Sequence, residues 1–345
     1  MWPAAALRAT MVAMDAMDAM DAAGDEFAIL AQEAAARGLS DRMPPVRRIA
    51  WGASGLPVDE GDSGGRAGSV VSGLLWGEAP RHVVLLHGVA LNAHTWDATL
   101  LHWGVPALAL DLPGHGDSSW VEERPISPAR LAQRIVPALD RALAAGELEA
   151  PLILVGQSLG GLAAAELAAA RASRPGGSDI GQVVLVDILP EDAAPDPSNP
   201  AAAAIAAFLS GPAEFPSREV LVQAALAAGL GGDDPEGVRR AVSLNTRVLP
   251  DGRVEWKHQI ARLGPGDLEM GDGAAQWEAL GALAGPVGLV AGTRGVVAES
   301  QVARLRRIRP DARVARLESG HNIQEDAPES LARVLEDLVG PSAQA

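Results

Sequence analysis

Residues 156–160 read GQSLG, and they stand between two stretches of different character. The short apolar run Leu152–Val155 precedes them, and the alanine-rich run Leu162–Ala170 follows. This order predicts a strand, a tight turn and a helix, with Ser158 at the apex of the turn. The two glycines leave room for a strained backbone and for close contact between helix and strand. We therefore interpret Ser158 as an exposed nucleophile; the alternative is a serine that only shapes the turn.

The composition limits the kinds of function that this serine can serve. A chain of 345 residues can form one large domain, or a core with an inserted lid. With 44 acidic and 28 basic residues the net charge is −16, which argues against nucleic acid or an anionic membrane surface as a partner. The absence of cysteine excludes thiol catalysis, disulfides and Cys-ligated zinc. We expect a small-molecule substrate, and the oligomeric state stays open.

The N-terminal region has a low-complexity sequence. Residues 14–16 read MDA, and the same triplet recurs at 17–19 and 20–22. A short amphipathic helix is one interpretation, but a simple extension is favoured, and we place residues 1 to about 40 outside the catalytic core. Acidic residues interrupt the apolar stretch, which is not typical of a signal peptide, so we expect a cytoplasmic protein.

Short apolar runs alternate with helical patterns from residue 46 onward. This alternation predicts an α/β fold whose mostly parallel sheet of about eight strands is covered by helices on both faces. The chemistry of such sheets lies beyond the carboxyl ends of the strands. The predicted strands are 46–51, 69–76, 82–86, 106–110, 152–155, 182–186, 287–290 and 312–317. The polar residues that lie just past the ends of these strands include His87, Ser158, Asp187 and His321.

Four motifs occur in a fixed order along the chain: HGV at 87–89 with Trp96 downstream, DLPGHGDS at 111–118, GQSLG at 156–160 and GHN at 320–322. With these motifs the sequence resembles the α/β-hydrolase fold, over roughly residues 46 to 340. The resemblance implies a serine hydrolase whose nucleophile, acid and histidine follow one another in that order along the chain. Together the four motifs are specific for the superfamily but say little about the substrate.

The histidine of the triad is assigned to His321. A serine hydroxyl is a poor nucleophile until a base takes its proton. His321 follows a predicted strand, stands beside Gly320 and precedes a helix, so its ring lies on a loop that reaches over the sheet edge. The other six histidines fit this role less well, and the resemblance implies structural roles for His87 and His115.

The acid of the triad departs from the commonest pattern of the family. In the segment 290–297 an aspartate is expected, but Gly295 stands there. Some members of the superfamily carry the acid after the preceding strand, where this chain has Asp187. A carboxylate that ends an apolar strand needs a partner, and His321 fits that need. Glu299 is a less favoured alternative, and Asp187 as a simple cap of the following loop is another.

The resemblance also implies an oxyanion hole of two backbone N–H groups, those of Leu159 and Val89. Asp187 and Val287 are 100 residues apart, which is too long for an ordinary connection. We therefore predict a lid at residues 190–280, inserted into a core made of residues 41–189 and 281–345. Helices are expected in it at 201–210, 217–229 and 235–247. The pocket candidates are His94, Trp96, Phe208 and Trp256, although packing is the more common role for such residues.

The function expected from the sequence is that of a serine esterase. Ser158 would attack an ester-like carbonyl of a small, largely apolar substrate and form an acyl-enzyme. No phosphate loop, His-Glu-x-x-His motif or calcium loop was found, so no cofactor or metal is expected. The same residues also support acyl transfer, perhydrolysis or carbon–carbon bond hydrolysis. A non-hydrolytic ligand-binding protein is a further alternative, and the missing aspartate at Gly295 favours it.

Overall fold

A computed structural model of the chain describes residues 26–52, 70–174, 178–191, 211–227 and 234–340. The strands are β1 Val46–Trp51, β2 Val71–Trp76, β3 Arg81–Leu86, β4 Ala107–Leu110, β5 Leu148–Gln157, β6 Ile180–Val186, β7 Glu214–Phe215, β8 Thr246–Val248, β9 Val254–Trp256, β10 Val287–Gly292 and β11 Arg313–Leu317. The α-helices are α1 Glu26–Ala36, α2 Asp97–Trp103, α3 Pro128–Ala144, α4 Leu159–Ala172, α5 Arg218–Ala227, α6 Pro235–Asn245, α7 Gly273–Ala282, α8 Glu299–Ile308, α9 Ile323–Asp326 and α10 Pro328–Val339.

Eight of the strands form one sheet, in the order β1-β2-β4-β3-β5-β6-β10-β11. The pairs that involve β2 are antiparallel, and every other pair in this sheet is parallel. The predicted α/β fold is therefore confirmed. The order also makes β3, β5, β6 and β10 consecutive neighbours, so their carboxyl ends meet at one edge. Ser158 and Asp187, which follow β5 and β6, are brought to that edge by topology alone.

Helices cover both faces of this sheet. Successive side chains of a strand point to opposite faces, and β3 shows the consequence: Val84 and Leu86 belong to one hydrophobic cluster, Val83 and Leu85 to the other. Helices α3 and α4 pack into the first cluster, and α2 and α10 pack into the second. No helix within the described ranges is both long enough and apolar enough to cross a membrane.

The N-terminal helix α1 is part of the core. Leu30 and Ala34, one helical turn apart, are fully buried in the second hydrophobic cluster. The Glu26 carboxylate at the start of the helix pairs with Arg48 of β1 at 2.7 Å. The prediction that residues 1 to about 40 lie outside the core is therefore wrong for this helix, because its i, i+4 apolar pair is buried against the sheet. The repeats at 14–22 lie outside the described residues.

The insert has a small core of its own. Strands β7, β9 and β8 form a three-stranded sheet in that order, and helices α5 and α6 pack around a separate cluster that includes Phe215 and Trp256. These helices match the predictions at 217–229 and 235–247, whereas the helix predicted at 201–210 lies outside the described residues. The predicted boundary at 280 is too late, because α7 buries Trp277 and Leu280 in the main cluster.

Candidate active site

Ser158 lies at the apex of the turn between β5 and α4, as the sequence predicts. Its backbone has a φ of 52° and a ψ of −124°, a strained conformation for a residue with a side chain. The backbone N–H of Ser158 donates to the carbonyl of Val186 at 3.1 Å, which ties the turn to the next strand. A Cβ at Gly156 would lie 2.3 Å from the carbonyl oxygen of Gly160. The glycine is therefore required by the close approach of helix and strand.

His321 and Asp187 form a hydrogen-bonded pair. Asp187 directly follows β6, is fully buried, and lies 2.8 Å through Oδ2 from Nδ1 of His321. The carboxylate also accepts hydrogen bonds from the backbone N–H groups of Gly292 and Val296, both at 2.9 Å. A buried carboxylate with three donors is well compensated, and it favours the tautomer of His321 that keeps its proton on Nδ1. The other ring nitrogen, Nε2, is then left as a base.

Glu299, the alternative acid, is remote from this pair. Its side chain is 81% exposed and forms an ion pair with Arg316 of β11. It is the first residue of helix α8 and does not belong to the loop after β10. The structure thus pairs His321 with Asp187, the residue that the sequence analysis favoured over Glu299.

The loop that carries His321 lies against the turn at Ser158. The side-chain amide of Gln157, the residue before Ser158, donates from Nε2 to the carbonyl oxygen of His321 at 3.2 Å. On the other side, a Cβ at Gly88 would lie 3.2 Å from Cβ of Ser158 and 2.0 Å from Oε1 of Gln157. Three segments therefore meet at one point of the sheet edge: the loop after β3, the turn at Ser158 and the loop that carries His321.

The two predicted oxyanion donors lie on either side of this junction. Leu159 is the first residue of α4, and the first N–H groups of a helix have no acceptor within the helix. Val89 follows Gly88, which packs on Ser158. Ala90 comes next with a φ of 62°, so the backbone turns sharply directly after Val89. Leu159 thus directly follows Ser158, and Val89 follows the glycine that packs on it; the donor role of the two N–H groups stays a prediction.

The structure corrects the predictions for two pocket candidates. Trp96 is fully buried in the second hydrophobic cluster, which is incompatible with lining an open pocket. His94 is also buried and lies between Asp97 at 2.8 Å and Glu26 at 3.2 Å. Burial alone would lower the pKa of His94, but these carboxylates outweigh it and raise the pKa to about 9. Both side chains therefore have the packing role that the sequence analysis gave as the alternative to a pocket, because the loop that carries them packs into the core.

The other two candidates belong to the insert. Trp256 of β9 packs edge-on against Phe215 with ring centroids 5.5 Å apart, and its indole N–H donates to the carbonyl of Pro212 at 3.0 Å. These contacts make it part of the core of the insert. Phe208 lies outside the described residues.

His258 is a residue that the sequence analysis did not select. Its ring is buried, stacks on Trp256 at 5.2 Å, and lies 6.3 Å from the ring of His115, which in turn lies 5.2 Å from His87. Burial lowers the pKa of His258 to about 3 and that of His87 to about 4, and the pKa of His115 lies well below its usual value for the same reason. All three imidazoles are therefore neutral at pH 7.

The insert is anchored on the loops after β3 and β4. Asn92 donates from Nδ2 to the carbonyl of Leu244 at 2.9 Å, which joins the loop after β3 to the end of α6. Gln259 donates its backbone N–H to Gly114 at 2.9 Å and accepts from the N–H of Val121 at 2.7 Å. These contacts place the insert beside the sheet edge that carries Ser158.

A cavity of about 820 Å³ lies elsewhere, between strands β1 and β2 and helix α3. Trp51, Val71 and Arg134 are among its walls, and no residue predicted for the site lines it. The chemistry of the serine edge therefore gives no reason to assign this cavity to the substrate. Across the described ranges, no group of three or more histidine, aspartate or glutamate side chains is arranged to hold a metal ion.

Comparisons with known proteins agree with this fold. Esterase Rv0045c of Mycobacterium tuberculosis is 34% identical over 319 residues, which cover 91% of this chain and 96% of that protein. Lipase LipV of the same organism is 27% identical over 274 residues, 76% of this chain and 94% of that protein. A crystal structure of esterase Rv0045c superposes with a TM-score of 0.70 at 35% identity, covering 92% of this chain and 98% of that one.

A second solved structure shows the fold alone. The thioesterase domain from the curacin biosynthetic pathway has a TM-score of 0.59 at 24% identity and covers 78% of this chain and 95% of that one. The sequence model of the alpha/beta hydrolase family matches residues 83–334. The match includes the serine turn, Asp187 and His321, and it spans well over half of the chain. The chain therefore belongs to the alpha/beta hydrolase family, and it is a hydrolase.

Proposed function

We propose that the chain is a serine esterase that cleaves esters of small, largely apolar molecules through an acyl-enzyme on Ser158. The observation that carries the proposal is the 2.8 Å contact between His321 and the buried carboxylate of Asp187, at the sheet edge that also carries the strained Ser158 turn. The similarity to esterase Rv0045c and lipase LipV, both named for ester hydrolysis, supports the same activity.

The proposed mechanism starts with proton transfer from Ser158. Nε2 of His321 takes the proton of the hydroxyl while Oγ bonds to the ester carbonyl carbon, and the carbonyl electron pair moves onto oxygen. Asp187 stays ionised and stabilises the imidazolium. The N–H groups of Leu159 and Val89 would hold the oxyanion, and the positive end of the α4 dipole lies behind it.

The second half of the reaction reverses these roles. The oxyanion collapses, the bond to the alcohol breaks, and His321 gives its proton to the departing alkoxide. Water then enters, His321 takes one of its protons, and the hydroxide oxygen attacks the acyl carbon. The acid leaves when the bond to Oγ of Ser158 breaks and His321 returns a proton to Oγ.

The role of the insert belongs to the same proposal. We place a lid between residue 190 and about residue 262, where the 3₁₀ turn Ile260–Arg262 ends the part that packs on Trp256. Its contacts through Asn92 and Gln259 support this position beside Ser158. The aromatic and aliphatic core of the insert supports an apolar acyl or ring-bearing substrate over a highly charged one.

A test uses p-nitrophenyl esters of increasing acyl length with a fluorophosphonate probe. The wild type is expected to hydrolyse the esters and to be labelled at Ser158, whereas Ser158→Ala loses both. Ser173→Ala, which alters the other end of the same helix, serves as the matched control and keeps both. An unlabelled wild type, or an active Ser158→Ala variant, would remove Ser158 from the mechanism.

The chemistry is distinguished by its products. With competing alcohol, peroxide or a diketone present, the free acid is expected to remain the main product; a dominant ester, peracid or carbon–carbon cleavage product would favour the alternative reactions. The ligand-binding alternative rested on the missing acid at Gly295. The Asp187–His321 contact takes away that reason, so hydrolysis is the better-supported function.

A further inference from the structure

Gln157 connects the two halves of the proposed site. Its side chain is fully buried, and its Nε2 donates both to the backbone carbonyl of His321 at 3.2 Å and to Oδ1 of Asn322 at 3.4 Å. The first contact is with the main chain of the proposed base itself. Gln157 is also joined covalently to Ser158, so a single side chain fixes the His321 loop relative to the nucleophile.

The His321 loop has further hydrogen bonds, but they run toward its own helix or, from the N–H of Arg294 to the carbonyl of Ser319 at 3.0 Å, toward the loop after β10. Asp326 accepts from the N–H of Gly320 at 2.9 Å, and Asn322 donates to Glu325 at 3.1 Å. These contacts shape the loop but do not fix its position relative to the turn at Ser158. Asp187 fixes the ring of His321 from the side of β6. The hydrogen bond of the Gln157 amide thus fixes the position of the loop backbone relative to the turn at Ser158.

The side-chain oxygen of Gln157 does not stabilise the fold. Its Oε1 is buried and has no hydrogen-bond partner within the ranges that the structure describes. A buried acceptor without a partner costs free energy, and an apolar side chain of similar shape would avoid that cost. A methionine at this position would fill the same space. The glutamine is therefore better explained by what its Nε2 holds than by its contribution to folding.

We propose that Gln157 is a positioning residue, which sets the distance of His321 from Ser158 through the main-chain carbonyl of His321. The inference rests on the proposed function. A small displacement of a base lowers the rate of proton transfer far more than it changes substrate binding. Loss of the Gln157 hydrogen bond should therefore lower kcat and leave KM nearly unchanged.

The test compares Gln157→Met with Gln182→Met. Gln182 is a matched control, because it is also buried in a strand and donates from Nε2 to a backbone carbonyl, that of Leu338 at 3.0 Å, remote from the serine turn. We expect kcat of Gln157→Met to fall about tenfold or more, with KM within about twofold and the melting temperature unchanged or raised. Gln182→Met should keep kcat and lose thermal stability.

A second variant tests the hydrogen bond itself. In Gln157→Glu the ionised side chain has no proton for the His321 carbonyl, whereas the protonated carboxyl donates again. The ratio of its kcat to that of the wild type is expected to rise as the pH falls, while the ratio for Gln157→Met stays constant. Equal pH dependence of the two ratios would overturn the role of the hydrogen bond.

The outcomes separate this inference from the function on which it rests. Fluorophosphonate labelling of wild-type Ser158 tests the function alone. If Ser158 is labelled but Gln157→Met has wild-type kcat, Gln157 has no positioning role. A melting temperature and kcat of Gln157→Met that fall together, with KM raised, would show a merely structural residue.

Discussion

A Cβ atom at Gly295 would lie 2.2 Å from both carboxylate oxygens of Asp187. The loop after β10 wraps closely around that carboxylate, and Gly292 and Val296 on either side of Gly295 donate their N–H groups to it. The position where the family commonly carries its acid is therefore in contact with an acid supplied from the neighbouring strand. Only a glycine at 295 leaves the space that the Asp187 carboxylate occupies.

Gly295→Ala should consequently impair catalysis through Asp187. The added methyl group displaces either the carboxylate or the loop, which misaligns the ring of His321. We expect kcat/KM on a p-nitrophenyl ester to fall by about 100-fold or more. The control is Gly281→Ala in α7, where the nearest atom to the new methyl lies 3.8 Å away. Equal activity of the two variants would contradict the close packing.

Asp187→Asn should retain the fold and lose most of its turnover. The amide cannot stabilise an imidazolium, and its NH₂ group favours the wrong tautomer of His321. A loss on the order of 10⁴-fold in kcat is expected by analogy with other serine hydrolase triads. The measurement pairs steady-state kinetics with circular dichroism. Turnover close to that of the wild type would exclude Asp187 from the triad.

An aspartate introduced at position 295, after β10, should be able to replace Asp187, which follows β6. In the double variant Asp187→Gly with Gly295→Asp, the removed carboxylate leaves the space that the new side chain needs. We expect at least about tenfold more activity than in Asp187→Gly alone, because a carboxylate again lies beside the His321 ring. Gly295→Asp in the presence of Asp187 should be the least active, since two carboxylates would crowd one space. No recovery in the double variant would contradict this expectation.

The stability of the protein should fall at alkaline pH, because the buried His94 loses its charge there. Its pKa in the folded chain is about 9, against about 6.5 in the unfolded chain, because Asp97 and Glu26 hold the charged form. The added stability is fully present below pH 6.5, and it is lost as the pH rises through 9. The loss should be about 3 kcal/mol. Chemical denaturation between pH 6.5 and 9.5 measures it, and His94→Gln should flatten that dependence.

The buried neutral histidines, His258 among them, should make the protein less stable at acidic pH. The pKa of His258 is about 3 in the folded chain, so between pH 6.5 and 3 the unfolded chain binds a proton that the folded chain does not. Stability therefore falls as the pH drops below 6.5. His258→Phe keeps a ring against Trp256 and should reduce the slope by about 1.4 kcal/mol per pH unit between pH 5 and 4. An unchanged slope would show that His258 is not the group responsible.

The strands, the serine turn and their order along the chain can be predicted from local sequence patterns. Continuous apolar runs predict buried strands, and GQSLG between an apolar run and an alanine-rich run predicts the turn, because both signals are local. Ser158, Asp187 and His321 each lie just past the end of a predicted strand, and the family resemblance implies their roles. Local patterns failed at α1, whose alanine-rich sequence looks like an extension until Leu30 and Ala34 are buried against the sheet.

Which of these residues come into contact depends on the fold of the whole chain. Asp187 and His321 are 134 residues apart along the chain, and no local pattern fixes a contact over that separation. The strand order β5-β6-β10-β11 creates it by placing the carboxyl ends of neighbouring strands side by side. The same closeness in space explains Gly295, and it moved Trp96 from a predicted pocket into the core. Side-chain burial depends on what the fold packs against a residue, and that partner comes from elsewhere in the chain.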